Sequence, residues 1–168
     1  MKRLLCGAAV AAALLISATP SSAQVVNMTA TLGGAEETTA TPGVLGLLTG
    51  AVGTATVAVD ATNQEISVTL ALFNFATGTQ AGHIHVGPRG VPGPVVINFP
   101  IFPGGPAGDL SLTFRVGASS FVARPEIGIN TMTDAIQAIV GGGAYVNIHT
   151  VQYGAGEIRG QLVPVPTR

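Results

Sequence analysis

Chemically active side chains are scarce in this chain of 168 residues. It contains no tryptophan, one cysteine and three histidines, and only 9% of its residues are charged. Each scarcity removes a class of function. The one cysteine, Cys6, sits at the front of an apolar run over residues 4–16, behind the basic pair Lys2 and Arg3. That run is followed by the small residues Ser21, Ser22 and Ala23, the pattern of a cleavable export signal. It is shorter than the roughly 18 to 20 residues a spanning helix needs, and no second such run follows. The expectation is therefore a signal peptide over residues 1–23 with cleavage near Ala23. The mature chain, with no transmembrane segment, would be secreted or periplasmic. Cys6 would leave with the signal, so the mature protein would have neither a disulfide nor a thiol nucleophile, and packing alone would have to hold it.

Basic charge is scarce too. Without Lys2 and Arg3 the cations fall from seven to five, all arginine, against eight acids, a balance of −3. The five arginines are scattered along the chain, whereas nucleic-acid binding requires a clustered basic patch. Lysine is absent beyond residue 2, and the glycine-rich segment 87–93 lacks the Lys-Ser/Thr ending of a phosphate loop, so it reads as a turn. Ser119 and Ser120 lie in no nucleophile elbow, and Asp109 and Asp134 read as a strand start and a first helical turn. No paired-carboxylate hydrolase is supported.

What the chain does have is 23 glycines, 11 prolines and 47% hydrophobic residues. That mixture is too apolar for disorder and suits a sheet protein with many turns. Period-two alternation marks strands over residues 25–32, 50–60, 65–74, 80–86, 95–99, 109–116, 145–150 and 157–163. Ala61 to Gln64 form a short hairpin turn between the second and third. Residues 133–140 break the pattern: Ile136, Ile139 and Val140 have helical spacing, Thr133 reads as the N-cap and Gly141 as the stop. The predicted fold is all-β, an antiparallel sandwich or barrel of about eight strands with one short helix. One domain would occupy residues 24–163, followed by a flexible tail over 164–168.

All three histidines fall on two of these strands. In His83-Ile84-His85 the imidazoles alternate with aliphatics, so they share the face opposite Ile84 and Val86. The same alternation puts Tyr145, Asn147 and His149 on one face, and Glu157, Arg159 and Gln161 on another. If these strands are neighbours, His83, His85 and His149 form a cluster bordered by Tyr145, Asn147, Glu157 and Arg159. Three imidazoles suit copper or zinc. The plainer reading is a wet sheet face whose histidines satisfy one another, a backbone carbonyl or a partner. Glu157 and Arg159 read as a surface ion pair, with binding of an acidic partner as the alternative for Arg159. Glu36 and Glu37 read as a solvated loop, or as part of a cation site.

The segment AGHIHVGPRGVPGPVVINF, followed by GGGAYVNIHTVQYGAGEIRGQL, resembles the CHRD domain, a module named after chordin that also occurs alone in secreted bacterial proteins. His83 to Gly87, Gly93 to Val95, Tyr145 to Thr150 and Gly156 to Leu162 carry the likeness, with residues 32–37 fitting its start. The resemblance implies an immunoglobulin-like or barrel-like β module and no established activity. Growth-factor binding is not implied, because chordin's cysteine-rich modules have no counterpart here. The HxH strand is similar to one in copper/zinc superoxide dismutase, but the further zinc ligands and disulfide cysteines are missing, which leaves a likeness of fold. The expected function is thus a non-enzymatic binding or structural module for an unknown protein or cell-envelope ligand. The alternative is a copper or zinc protein using His83, His85 and His149.

Overall fold

Alternating sequence becomes alternating burial. In the computed structural model, which describes residues 25–38, 46–101 and 104–166, the strands are β1 (Val25–Gly33), β2 (Val52–Asp60), β3 (Glu65–Phe75), β4 (Thr79–Val86), β5 (Val95–Asn98), β6 (Gly108–Val116), β7 (Ala144–Thr150), β8 (Ile158–Gln161) and β9 (Val163–Pro164). Ala55, Val57 and Val59 of β2 and Ile66, Val68, Leu70 and Leu72 of β3 are fully buried, while their polar neighbours face out. Each of these Val, Ile and Leu side chains contributes about 1.5–3 kcal/mol of transfer free energy. The turn between β2 and β3 closes as expected: the Asp60 carboxylate accepts from the backbone N–H groups of Thr62 and Asn63.

All pairings are antiparallel, in the order β5-β4-β7-β8-β1-β2-β3-β6, with β9 also on β1. The two ends of this sheet approach each other. Phe99, just past β5, packs on Phe114 of β6 with ring centroids 5.1 Å apart, so the sheet curls into a nearly closed barrel. Lying at this seam, Leu110, Leu112 and Phe114 of β6 are only half-buried despite their clean alternation.

Two local details differ from the sequence reading. The helix α1 (Met132–Val140) is capped by Thr131, not Thr133. Asp134 decides the matter: its carboxylate accepts from the Thr131 N–H (2.8 Å), while Thr131 Oγ1 accepts from the Asp134 N–H (3.2 Å). That reciprocal box fixes the start one turn before Asp134, and the Thr133 hydroxyl instead accepts from Gln64 Nε2 (2.9 Å). The last strand also splits at Leu162, which turns inward and donates its N–H to Ala144 O (2.9 Å). Val163 and Pro164 then pair with Thr29 and Met28, and the Val165 N–H reaches Asn27 O (2.8 Å). The segment read as a free tail is thus tied to β1 as far as Val165. The signal peptide read over residues 1–23, Cys6 included, lies outside the described residues.

Candidate metal centre

The strand order puts β4, β7 and β8 side by side, as the histidine cluster requires. Across β4 and β7, His83 faces Asn147, His85 faces Tyr145 and Ala81 faces His149; across β7 and β8, Asn147 faces Arg159. Alternation then brings all three imidazoles onto one face, opposite the buried Ile84, Val146 and Ile148. One ligand nitrogen from each of His83, His85 and His149 lies within 4.8 Å of the others. His83 Nδ1 and His149 Nε2 are 3.0 Å apart.

Two backbone carbonyls set the ring tautomers. His85 Nδ1 lies 2.8 Å from Gly93 O, and His149 Nδ1 lies 3.0 Å from Gly154 O. A carbonyl only accepts, so both Nδ1 atoms carry hydrogen and both Nε2 atoms are bare lone pairs. His149 Nε2 then accepts the proton of His83 Nδ1. His85 Nε2 is buried and makes no hydrogen bond among the described residues. Moving the His83 proton to its Nε2 would leave one bare nitrogen on each of the three clustered rings. Carbonyl-oriented imidazoles of this kind are typical of metal ligands.

The rings are also held neutral. Burial, then the neighbouring His149 and His85, pushes His83 down to about 4. Burial also pushes His85 down to about 4, opposed by Gly93 O and aided by His149, Arg159 and Arg124; His149 is lowered by burial. Since the ordinary histidine value is 6.5, the unfolded chain binds protons that the folded chain refuses between about pH 4 and 6.5. Stability therefore falls as pH drops through that window. Glu37 acts in the opposite sense. Burial raises its carboxyl from 4.5 to about 7, so its stabilising contribution is lost as pH rises between those values. With three lowered histidines against one raised carboxyl, the urea midpoint of metal-free protein should fall from pH 6.5 to 4.5, and His83→Ala/His85→Ala should flatten or reverse the slope.

The residues read as a polar binding face are in place but covered. Tyr145, Asn147, Glu157 and Arg159 are 2%, 5%, 1% and 1% exposed, so none is open to a partner. Segment 87–94 folds over Tyr145 and Arg159: Arg159 Nη2 donates to Pro88 O (2.9 Å), Gln161 Nε2 to Gly87 O (3.1 Å), and Gly93 N–H to the Tyr145 hydroxyl (2.9 Å). Tyr145 lies between the neutral His85 imidazole and the Arg159 guanidinium in a stack. Its ring is parallel to His85 at 4.9 Å, and the Arg159 guanidinium carbon stands 3.4 Å from the ring centroid. Such a desolvated cation–π contact contributes about 2 kcal/mol.

Glu157 and Arg159 form no ion pair. Gly156, at φ 129°, kinks the chain just before Glu157, whose carboxylate accepts from Thr49 Oγ1 and Thr150 Oγ1, both at 2.6 Å. The acid near Arg159 is instead Glu37, 3% exposed and reached by Asn147 Nδ2 at 3.5 Å. Glu36 behaves differently from its neighbour and pairs at the surface with Arg89.

A family model for the CHRD domain matches residues 28–162, from Met28 of β1 to Leu162, just past β8. The chain belongs to the CHRD family. Both histidine strands and the loop that covers Tyr145 fall within the CHRD match. No curated protein and no solved structure shows significant similarity to the chain.

Proposed function

We propose that this CHRD protein is an exported, non-catalytic module that holds one copper or zinc ion on His83, His85 and His149. The observation that carries the reading is the clustering of three imidazole nitrogens within 4.8 Å, two of the rings fixed by Gly93 O and Gly154 O with Nε2 left bare. An ion there would offer Lewis acidity or, for copper, a redox couple. The protein's own residues supply the orientation of the rings and a largely buried setting. Export rests on the sequence of residues 1–23, and the non-catalytic assignment on the lack of any nucleophile or carboxylate pair in the sequence reading.

Calorimetric titration tests the proposal. The chain should take up one equivalent of Cu(II) or Zn(II) with Kd below about 10 μM, roughly 7 kcal/mol of binding. The His83→Ala/His85→Ala variant should lose that uptake. A wild type that binds neither ion would overturn the metal assignment, and turnover of superoxide or an ester by loaded protein would overturn the non-catalytic one.

A further inference from the structure

We infer that the ion this site is built to hold is monovalent copper. The inference rests on the metal reading above and selects among the ions that reading allows. Two independent features of the site carry it.

The first is the donor set. Among the described residues the cluster consists of three neutral imidazoles, with no carboxylate or thiolate among its members. Divalent zinc completes a tetrahedron with a fourth ligand, and divalent copper prefers a tetragonal set. Like divalent zinc, which takes a water as fourth ligand in three-histidine sites, monovalent copper has a filled d shell, but with one charge fewer it is satisfied by three nitrogens alone in a plane.

The second is the surrounding charge. Behind His85 stands Tyr145, and directly behind Tyr145 stands the Arg159 guanidinium, 1% exposed and therefore poorly screened. On the opposite flank, Arg124 Nε donates to Val95 O (2.8 Å), and Val95 is the β5 residue paired with His85. Two guanidiniums thus bracket one ligand. Glu37 offsets part of the Arg159 field, while Glu36 is engaged by Arg89. Unit charges about 10 Å apart at an effective dielectric of about 20 change an affinity roughly tenfold, and a divalent ion suffers this twice where a monovalent ion suffers it once.

The test compares ions on the same purified chain. Under anaerobic conditions Cu(I) is titrated against a chromophoric Cu(I) chelator, and Zn(II) and Cu(II) against divalent chelators. Cu(I) should be held on the order of tenfold more tightly than either divalent ion. Arg159→Gln and Arg124→Gln should each narrow that gap several-fold, and Arg159→Lys should preserve it. Arg124 is half-buried and outside the stack, so its variant gives a reading even if Arg159→Gln folds poorly. A divalent ion bound as tightly as Cu(I), or a gap untouched by Arg124→Gln or by a folded Arg159→Gln, would overturn the inference and leave the metal site standing. Binding of no ion at all would remove both.

Discussion

Arg159→Ala should destabilise the protein by about 3–5 kcal/mol at pH 8.5, the range found when one partner of a buried charge pair is removed. That is a large share of the 5–15 kcal/mol that holds a typical domain together. Three losses combine: the cation on the Tyr145 ring, the hydrogen bond to Pro88 O that pins segment 87–94, and the positive charge that stabilises ionised Glu37. The third depends on pH. Glu37 already sits at about 7, with burial raising it and Arg159 opposing that rise. Without Arg159 its pKa rises further, so at pH 6 the carboxyl is protonated in both proteins and this part of the penalty disappears. Urea unfolding at pH 6 and pH 8.5 should therefore show a smaller difference between wild type and variant at the lower pH. An equal difference at both values would mean that Glu37 and Arg159 do not interact.

Gly93→Ala should cost on the order of 2–3 kcal/mol and weaken metal binding about 10–100-fold, as loss of an outer-shell ligand orienter does. A Cβ at Gly93 would fall on the carbonyl oxygen of Val86, a backbone atom that cannot swing aside. Segment 87–94 must then shift, and it takes with it Gly93 O, the acceptor that fixes the His85 tautomer, and the N–H that holds the Tyr145 hydroxyl. The metal-binding loss should exceed that of Gly104→Ala, where a Cβ meets nothing within 4 Å although the positive φ there carries its own strain. Thermal unfolding and metal titration of the two variants, side by side, separate lost orientation from general instability.

How much of this was legible beforehand follows from the range of the forces involved. Alternation along a single strand is a local property, and it revealed β1 through β8 and the shared face of His83 and His85 from residues alone. The neighbour relation of β4, β7 and β8 is not local, and in the sequence it remained a condition. Burial of the polar face was invisible for the same reason. Tyr145, Asn147 and Arg159 alternate like solvent-facing residues, and only the return of segments 34–38 and 87–94 over them takes them out of water. Glu37 carried no sign of its role, since Glu36 beside it has the same chemistry and lies at the surface. The helix start was more available: Thr131 and Asp134 have capping-box spacing, whereas the apolar pattern alone favoured Thr133. Glu157 misled because the kink at Gly156 turns it away from the parity of its strand.

The central claim is that three imidazoles, and no other side chains, hold one ion. X-ray absorption at the edge of the bound copper or zinc tests it most directly. The account predicts a first shell with three imidazole nitrogens at about 2.0 Å, each with the outer-ring scattering of a histidine. That shell should lose one imidazole in His149→Ala. A spectrum dominated by carboxylate or water oxygens, or one unchanged by that substitution, would contradict it.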